Sequence, residues 1–401
     1  MKNGWKLVQF GDVVRLNKDR IADPAAAGIE RYVGLEHITP EDLRIRNWGL
    51  VAEGTTFTNH FKPGQVLFGK RRAYQRKVAV ADFEGVCSSD IYVFESKDPD
   101  VLRPELLPFI CQSEGFYQHA VQTSAGSLSP RTNWKHLAAY EFPLPPLDEQ
   151  RRIAELLWAV EDAIEKYTQF ITSLIAIKLA LMKQMISLPH ITEKAKKKTN
   201  QMAKGWRVEE LSNLVVSEYG IVDGPFGSNL KSIHYRDKGI PIIQSGFVTS
   251  GVFKPTKYLY VDEDKYNEQK RSAVRGGDIV MAKIGENCGA CAIVPIEHPI
   301  SILAGNCLKI SPDNTKCLTK YLLYVLHFYR EAGLLDTLKS TTAQPAIKIK
   351  DLKKLKIKLP PLEEQERIVK MLEAYDMSIK RTTIRKNNLH EIKKILLAKF
   401  L

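Results

Sequence analysis

The segment of this chain that comes nearest to a catalytic motif runs from Gly64 to Lys70. It matches the G-x-x-x-x-G-K pattern of a phosphate-binding loop, in which backbone amides cradle the phosphates and a following Ser or Thr binds magnesium. Arg71 occupies that following position, and the apolar residues 66–68 are typical of a strand. We therefore predict no nucleotide site in this segment.

Cys288, Cys291, Cys307 and Cys317 are the candidate ligands for a metal ion. The first two form a C-x-x-C pair, but a zinc site needs a second close pair, and the spacing of the last two is loose. The chain also has too few cysteines for a disulfide scaffold of its length. We predict buried free thiols, no metal and no cofactor.

Other catalytic signatures are missing as well. The sequence contains no N-P-P-[YF] segment of an amino-methyltransferase, and no Ser–His–Asp, nucleophilic-cysteine or dinucleotide-binding pattern. We therefore predict that the chain is not an enzyme. Two alternatives stay open: a DNA-modifying enzyme with an unrecognised catalytic site, and a coiled-coil scaffold whose globular arms bind proteins.

The charge balance favours a polyanionic partner. Lys and Arg number 59 against 46 Asp and Glu, which gives a formal net charge of +13. Neutralising DNA phosphates releases condensed counterions, so such a chain favours nucleic acid over acidic proteins. The densest basic cluster is a predicted loop between two strand-like runs, and Arg and Gln in it suit guanine and adenine edges. Its candidate DNA contacts are Lys70, Arg71, Arg72, Tyr74, Gln75, Arg76 and Lys77.

Further candidate DNA contacts lie in polar, apolar-poor segments that carry hydroxyl, amide and basic groups. One segment precedes the first long helix, a matching segment precedes the second, and two more lie in the second half of the chain. An unpartnered connecting loop is the alternative for each of them. The residues are Ser127, Ser129, Arg131, Asn133 and Lys135; Thr341, Thr342, Gln344 and Lys348; Asn229, Lys231, His234 and Tyr235; and Lys283 and Asn287.

The chain repeats itself internally. Gly-Trp-Lys-Leu from Gly4 is matched by Gly-Trp-Arg-Val from Gly205, and PPLDEQRRI from Pro145 is matched by PPLEEQERI from Pro360. The order of the matches between these anchors is also kept. Each copy begins with short apolar runs broken by Gly, Pro, Asn and Asp, which are strand and turn signals. Helical stretches are expected near 104–120 and 320–338.

Each copy ends in a long helix headed by the P-P-L-[DE]-E-Q segment. Apolar residues after it recur in 4-3-4-3 steps, which predicts a coiled-coil seam, and a helix of about 40 residues is about 60 Å long. The apolar stripe of each helix needs a partner, and the other helix is the obvious one. Packing of each helix on its own globular unit is the alternative. The seam residues are Ile153, Leu157, Val160, Ile164, Tyr167, Ile171, Leu174, Leu181 and Met185, then Ile368, Leu372, Tyr375, Ile379, Leu389, Ile392 and Leu396.

The predicted fold class is α+β, with two mixed α/β units at opposite ends of an antiparallel pair of long coiled-coil helices, as a pseudo-twofold tandem repeat. The predicted boundaries are a first unit at 1–147, a helix at 148–190, a linker at 191–204, a second unit at 205–362 and a helix at 363–401. We expect a cytoplasmic protein, because the N-terminal residues lack the apolar core of a signal peptide and we expect no apolar stretch of the length needed to span a bilayer.

The duplicated P-P-L-[DE]-E-Q helix heads, together with the segment Asp223–Tyr235, resemble the specificity subunit of a Type I restriction–modification system. The resemblance covers essentially the whole chain. It implies that each globular unit is a target recognition domain for one half of a bipartite double-stranded DNA site. It also implies that the helices set the spacing of the halves and dock two methyltransferase (M) subunits, with restriction/translocase (R) subunits joining through the complex and supplying chemistry with them.

Overall fold

The computed structural model describes residues 4–186, 205–340 and 344–401. The chain divides into two compact units. Unit 1 comprises Met1–Phe170 together with Thr382–Leu401, and unit 2 comprises Ile171–Arg381. The predicted linker at 191–204 and the predicted helix end at 187–190 lie outside the described residues.

Unit 1 is built on two four-stranded sheets and one strand pair. The orders are β2-β9-β6-β7, β4-β3-β8-β5 and β1-β10, and only β3 and β8 are parallel among these described pairs. The strands are β1 Lys6–Gln9, β2 Val14–Asn17, β3 Arg31–Val33, β4 Gly49–Leu50, β5 Asn59–Phe61, β6 Val66–Gly69, β7 Val78–Val80, β8 Gly85–Cys87, β9 Ile91–Ser96 and β10 Glu141–Leu144. Strand β6 contains the apolar residues of the G-x-x-x-x-G-K match, so that match is a strand, as predicted.

Unit 2 has the same arrangement of strands. Its orders are β12-β19-β16-β17, β14-β13-β18-β15 and β11-β20, and β13 and β18 are again parallel. The duplicated sequence therefore folds into duplicated sheet topology. The strands are β11 Arg207–Glu210, β12 Ile221–Asp223, β13 Ile240–Ile243, β14 Leu259–Val261, β15 Ala273–Val274, β16 Ile279–Ala282, β17 Cys291–Ile293, β18 Ser301–Leu303, β19 Cys307–Ile310 and β20 Lys356–Leu359.

The helical stretch expected near 104–120 is two helices. Ser113 adopts an extended backbone between them, and its hydroxyl accepts a hydrogen bond from the Phe116 amide, so it caps the second helix instead of continuing the first. The corresponding stretch of unit 2 is one α-helix that ends before Gly333, whose φ is +70°. The short helices are α1 Phe10–Val13, α2 Leu107–Gln112, α3 Glu114–Gln122, α4 Trp134–Ala138, α6 Glu263–Glu268, α7 Thr319–Glu331 and α8 Ile349–Lys353.

Both predicted long helices are present, as α5 Leu147–Ile186 and α9 Leu362–Phe400. Each of them crosses the boundary between the two units. Ile153 and Leu157, which the spacing assigned to a helix seam, lie in the apolar core of unit 1 with Phe109 and with Leu397 of α9. The first turns of each long helix therefore pack on their own globular unit, because the sheets and short helices leave an apolar surface there.

The two helix heads share a glutamine, and its buried side chain gives a physical reason for their similar sequences. In unit 1 the Gln150 amide nitrogen donates to the carbonyls of Val101 and Pro145, both at 2.9 Å, and its oxygen accepts from the Arg103 amide at 2.9 Å. The side chain is 1% exposed. It therefore ties three chain segments together at the start of α5, and it satisfies buried backbone groups that have no strand partner.

Gln365 makes the same three hydrogen bonds in unit 2. Its nitrogen donates to the carbonyls of Lys316 and Pro360, at 3.2 and 2.9 Å, and its oxygen accepts from the Leu318 amide at 2.8 Å. Each partner stands 215 residues after its counterpart in unit 1, which is the offset of the two helix heads. We call this arrangement the glutamine clamp.

Helix α5 is the one described helix that is long and apolar enough to cross a membrane by length and composition. Its most apolar 18-residue window has a mean hydropathy of 1.3. This corrects the expectation that no such stretch exists. Long helices that pack against protein can have the same length and hydropathy.

We predict that Gln150→Leu lowers the free energy of unfolding of unit 1 by about 2–4 kcal/mol, because three buried hydrogen bonds are lost and their backbone partners stay buried. Urea unfolding followed by tryptophan fluorescence measures this change. Gln122→Leu is the matched control, since Gln122 is exposed at the end of α3 in the same unit. An unchanged urea midpoint for Gln150→Leu would contradict the proposed role of the clamp.

Candidate nucleic-acid interface

Two segments that the sequence presented as separate candidates lie together in unit 1. Residues 69–77, here the first loop, connect β6 to β7, and residues 124–135, the second loop, precede and begin α4. Arg71 and Arg131 form a β-bridge between them. The Arg72 amide donates to the Pro130 carbonyl at 2.7 Å, so the backbones of the loops are hydrogen-bonded to each other.

Asp90 joins the two loops electrostatically. Its carboxylate accepts from Arg131 Nε at 2.8 Å and from Arg71 Nη1 at 3.3 Å. Partial burial raises the pKa of Asp90, but the hydrogen bonds and charges of the two arginines outweigh it, so the pKa lies below its usual value. Asp90 is therefore a carboxylate that orients two cations, and it neutralises part of their charge.

Ser129 provides a second point of attachment for the arginines. Its hydroxyl oxygen accepts from Arg71 Nη2 at 2.9 Å and from Arg72 Nη2 at 3.2 Å. Arg72 adopts a left-handed backbone with φ of 55° and has no carboxylate partner among the described ion pairs of residues 4–186. Its charge is thus less compensated than that of Arg71.

The remaining first-loop residues divide into attached and exposed side chains. Arg76 pairs with Glu114 at 2.5 Å and lies over the Tyr117 ring, while the Lys77 ammonium donates to the Leu35 carbonyl at 2.6 Å. These contacts hold the loop to unit 1 and leave less of either cation for an external phosphate. Tyr74 is 56% exposed, and Gln75 is half-buried.

Lys70 is half-buried at the base of the first loop. Its ammonium lies 4.7 Å from the centre of the Tyr92 ring, a cation–π distance. Burial lowers its pKa, while the nearby Asp90 carboxylate works in the opposite direction. Because its ammonium is held in place, Lys70 contributes a fixed positive potential at the base of the loop, and not a mobile contact.

In the second loop Ser127 is exposed, and Asn133 caps α4 by accepting a hydrogen bond from the Lys135 amide at 3.2 Å. Lys135 itself is exposed at the first turn of α4. Arg131 keeps 51% of its side chain exposed despite its bond to Asp90. The loop pair of unit 1 thus presents basic and hydroxyl groups on one surface.

Unit 2 has a corresponding arrangement around Lys283. We call the place where the two loops of a unit are hydrogen-bonded to each other, at Lys70 or at Lys283, the junction. The Lys283 amide donates to the Asn306 carbonyl at 2.8 Å, and its carbonyl accepts from the Ile347 amide at 3.0 Å. Lys70 makes the two corresponding bonds, to Asp90 and from Thr132, both at 3.0 Å. Lys70 and Lys283 are therefore equivalent in the hydrogen bonding of their backbones.

The carboxylate in unit 2 comes from a different part of the sheet than Asp90 does in unit 1. Asp223, at the end of β12, pairs with Lys283 at 2.8 Å and with Arg271 at 3.1 Å. Lys283 also lies 4.3 Å from the centre of the Phe226 ring. Gly224 follows Asp223 because a Cβ there would lie 2.0 Å from the Ala304 carbonyl oxygen. This close approach explains the glycine in the D-G-P-F-G segment.

The other candidates of unit 2 differ in exposure and in their contacts. Asn229 and Lys231 are exposed, while the His234 ring nitrogen Nδ1 accepts from the Lys231 amide at 3.0 Å, and Tyr235 packs on an apolar cluster. Asn287, Gln344 and Lys348 are exposed, and Thr341 and Thr342 lie outside the described residues.

The sequence did not single out Asp90 or Arg271, and Asp223 was noted only as part of a motif. Acidic residues carry no signal for a DNA contact, and their partners are far away in sequence. Strand register supplies the missing signal: Ile91 of β9 pairs with Gly69 of β6, so Asp90 must lie beside the first loop.

The six cysteines are all buried free thiols, as predicted. Burial raises the pKa of Cys291 and of Cys307 to about 12, so both thiols are uncharged at neutral pH. No group of three or more His, Cys, Asp and Glu side chains with a metal-binding arrangement occurs among residues 4–186, 205–340 and 344–401.

Comparison with known proteins places the chain in a family. The model of the Type I restriction modification DNA specificity domain matches residues 2–173 and again residues 227–393. The chain belongs to this family, as its helix heads predicted. The two matches correspond to the two copies of the repeat.

Two relatives come from Methanocaldococcus jannaschii. The Type I restriction enzyme MjaVIII specificity subunit is 23% identical over 97% of this chain and 90% of its own length. The putative type I restriction enzyme MjaX specificity subunit is 25% identical over 98% of this chain and 90% of its own length. A solved structure, described as the basis of complex assembly and conformational transition of the type I R-M system, has a similar fold, with a TM-score of 0.62, 21% identity and coverage of 100% and 98% of the two chains.

We predict that Asp90→Asn loosens the loop pair of unit 1, because the charge that holds Arg71 and Arg131 is removed. Hydrogen exchange at the Arg131 amide, which donates to Ala125, should accelerate roughly fivefold. Glu53→Gln, an equal change of charge at an exposed site of unit 1, should leave that rate unchanged. If both variants behave alike, Asp90 does not organise the loops.

Proposed function

We propose that this chain is the DNA specificity subunit of a type I restriction–modification complex. The two target recognition domains, 1–147 and 205–362, each read one half of a bipartite DNA site. The observation that carries the proposal is the repeated junction, in which Lys70 and Lys283 occupy equivalent places in two units of the same topology. A split DNA sequence is the target that two such surfaces in one chain suit.

We further propose that α5 and α9 form an antiparallel coiled-coil pair with a pseudo-twofold axis, spanning 148–190 and 363–401, joined by the linker 191–204. Two ion pairs between the helices support this arrangement, one in each unit. In unit 1 Glu161 pairs with Lys393, and both side chains are 6% exposed; in unit 2 Lys178 pairs with Asp376 at 2.5 Å. The partners follow opposite orders along the two helices, as antiparallel packing requires.

The chemistry of restriction and methylation is assigned to partners. Two M subunits dock on the helices, and R subunits join through the complex, so the chain itself needs no catalytic residues and no cofactor. The exposed apolar side chains of α5, among them Phe170, Ile177 and Leu179, offer a surface for such docking. The whole assembly works on DNA in the cytoplasm.

The enzyme alternative makes an opposite prediction. Purified chain incubated with S-adenosyl-methionine and DNA should transfer no methyl group in this proposal, whereas a DNA-modifying enzyme would do so without a partner. A measurement of DNA affinity distinguishes the proposal from a protein-binding scaffold. A scaffold should not show DNA binding that weakens steeply with salt, as binding through phosphate contacts does.

The main test is selection of bound duplexes from a random library by the purified full chain. We predict that Arg72→Ala weakens binding roughly tenfold or more and relaxes the bases of one half-site alone. Lys231→Ala should affect the other half-site alone.

Lys370→Ala is the matched control for charge, since Lys370 is 78% exposed on α9 and belongs to none of the candidate loops. It should leave the selected sequence unchanged. Relaxation of both half-sites by Arg72→Ala would argue against one unit reading one half.

The spacing role has its own test. Deleting seven residues, 168–174 and 379–385, from both helices shortens each by about 10 Å and keeps the heptad register. The number of base pairs between the selected half-sites should then change, while the sequences of the halves stay the same. An unchanged gap would refute the role of the helices as a spacer.

A further inference from the structure

Leu128 is the most exposed large apolar side chain among the described residues, at 90%. It stands at the apex of the second loop, between Ser127 and Ser129. Ala125 and Arg131 close this loop with two backbone hydrogen bonds, of 3.0 and 2.9 Å. The apex is therefore the tip of a closed hairpin.

The tip is fixed relative to the arginines of the first loop. Arg71 and Arg72 both donate to the Ser129 hydroxyl, and Arg72 Nη2 also donates to the Leu128 carbonyl at 3.4 Å. Gly126 enters the tip with φ of +109°, a conformation that other residues rarely adopt. The leucine side chain is thus held at a defined place beside two cations.

We infer that Leu128 is a specificity-determining residue that enters the DNA and packs between bases of the half-site read by unit 1. Leucine is one of the apolar side chains that proteins insert at a base step, where they unstack and kink the duplex. Arg71 and Arg72 would contact the backbone and base edges next to that step. The cost of unstacking depends on the step, so the insertion selects flexible pyrimidine–purine steps. This inference rests on the proposed function.

Position separates Leu128 from other exposed aliphatic residues. Ile296 is 79% exposed, but Pro295 and the acidic Glu297 flank it, and a carboxylate repels DNA phosphates. Ile296 therefore provides a matched control with similar exposure and a different electrical environment. In unit 2 the residues that correspond to the tip, 341–343, lie outside the described residues, so the inference concerns unit 1.

The experiment measures the affinity of the purified full chain for a duplex that this chain selects from a random library, over a range of salt concentrations. Leu128→Ala should weaken binding roughly 10- to 100-fold, the range expected for loss of a buried leucine contact. The slope of log affinity against log salt should stay unchanged, because no charge is removed. Arg72→Ala is the comparison variant, because loss of a phosphate contact in that variant should make the dependence of log affinity on log salt less steep.

A second measurement locates the insertion. 2-Aminopurine placed at successive positions of the unit 1 half-site should brighten at one step when wild-type chain binds, and this signal should disappear with Leu128→Ala and persist with Leu128→Met and Ile296→Ala. Leu128 makes no buried contact, so these variants should fold normally.

Equal affinity of Leu128→Ala and wild type, or a 2-aminopurine signal that survives Leu128→Ala, overturns the inference and leaves the proposed function intact. Failure of the wild-type chain to select any duplex sequence overturns both. Weaker binding with an altered salt slope also overturns the inference, because it would mean that the substitution acts on the arginines.

Discussion

The glutamine clamp is the constraint on which the two halves of this protein depend. A long helix that begins directly after a short strand must be held at a fixed angle, and apolar packing alone does not fix it, since packing is not directional. Gln150 and Gln365 supply direction by bonding carbonyls and an amide from two further segments. The candidate loops lie on sheets whose orientation relative to the long helices is therefore fixed in part by this one side chain in each unit. Its repetition explains why the helix heads match better than the rest of the two copies.

Much of the architecture could be predicted from the sequence because it depends on local sequence patterns. The repeat, the two long helices and the strand at residues 66–69 follow from spacing, proline positions and apolar runs. The helix break at Ser113 was not predicted, because a serine inside a periodic apolar stretch is compatible both with the middle of a helix and with a helix cap. The assignment of Ile153 and Leu157 to a seam was incomplete for a related reason, since an apolar stripe does not say which surface covers it.

The candidate site was predictable in part. The basic residues were visible as a cluster, but their surroundings were not, because Asp90 approaches them from the turn before β9 and Asp223 from the end of β12. These carboxylates divide the cations into two classes. Arg71 and Lys283 are partly neutralised and positioned, whereas Arg72 and Lys231 keep more of their charge for an external partner. The net charge of the chain therefore overstates the positive charge that each junction has available for a phosphate. It also gives no indication that the carboxylates hold these cations in place.

The path of α9 has a consequence for synthesis of the protein on the ribosome. Leu396, Leu397 and Phe400 pack with the core of unit 1, whose first strand begins at Lys6. The core that starts to form earliest therefore lacks part of its apolar cover until residues 396–400 have been translated. A nascent chain must keep a partly finished first unit soluble while the whole second unit emerges, and a frameshift just before codon 396 would damage the unit whose strands are encoded far upstream.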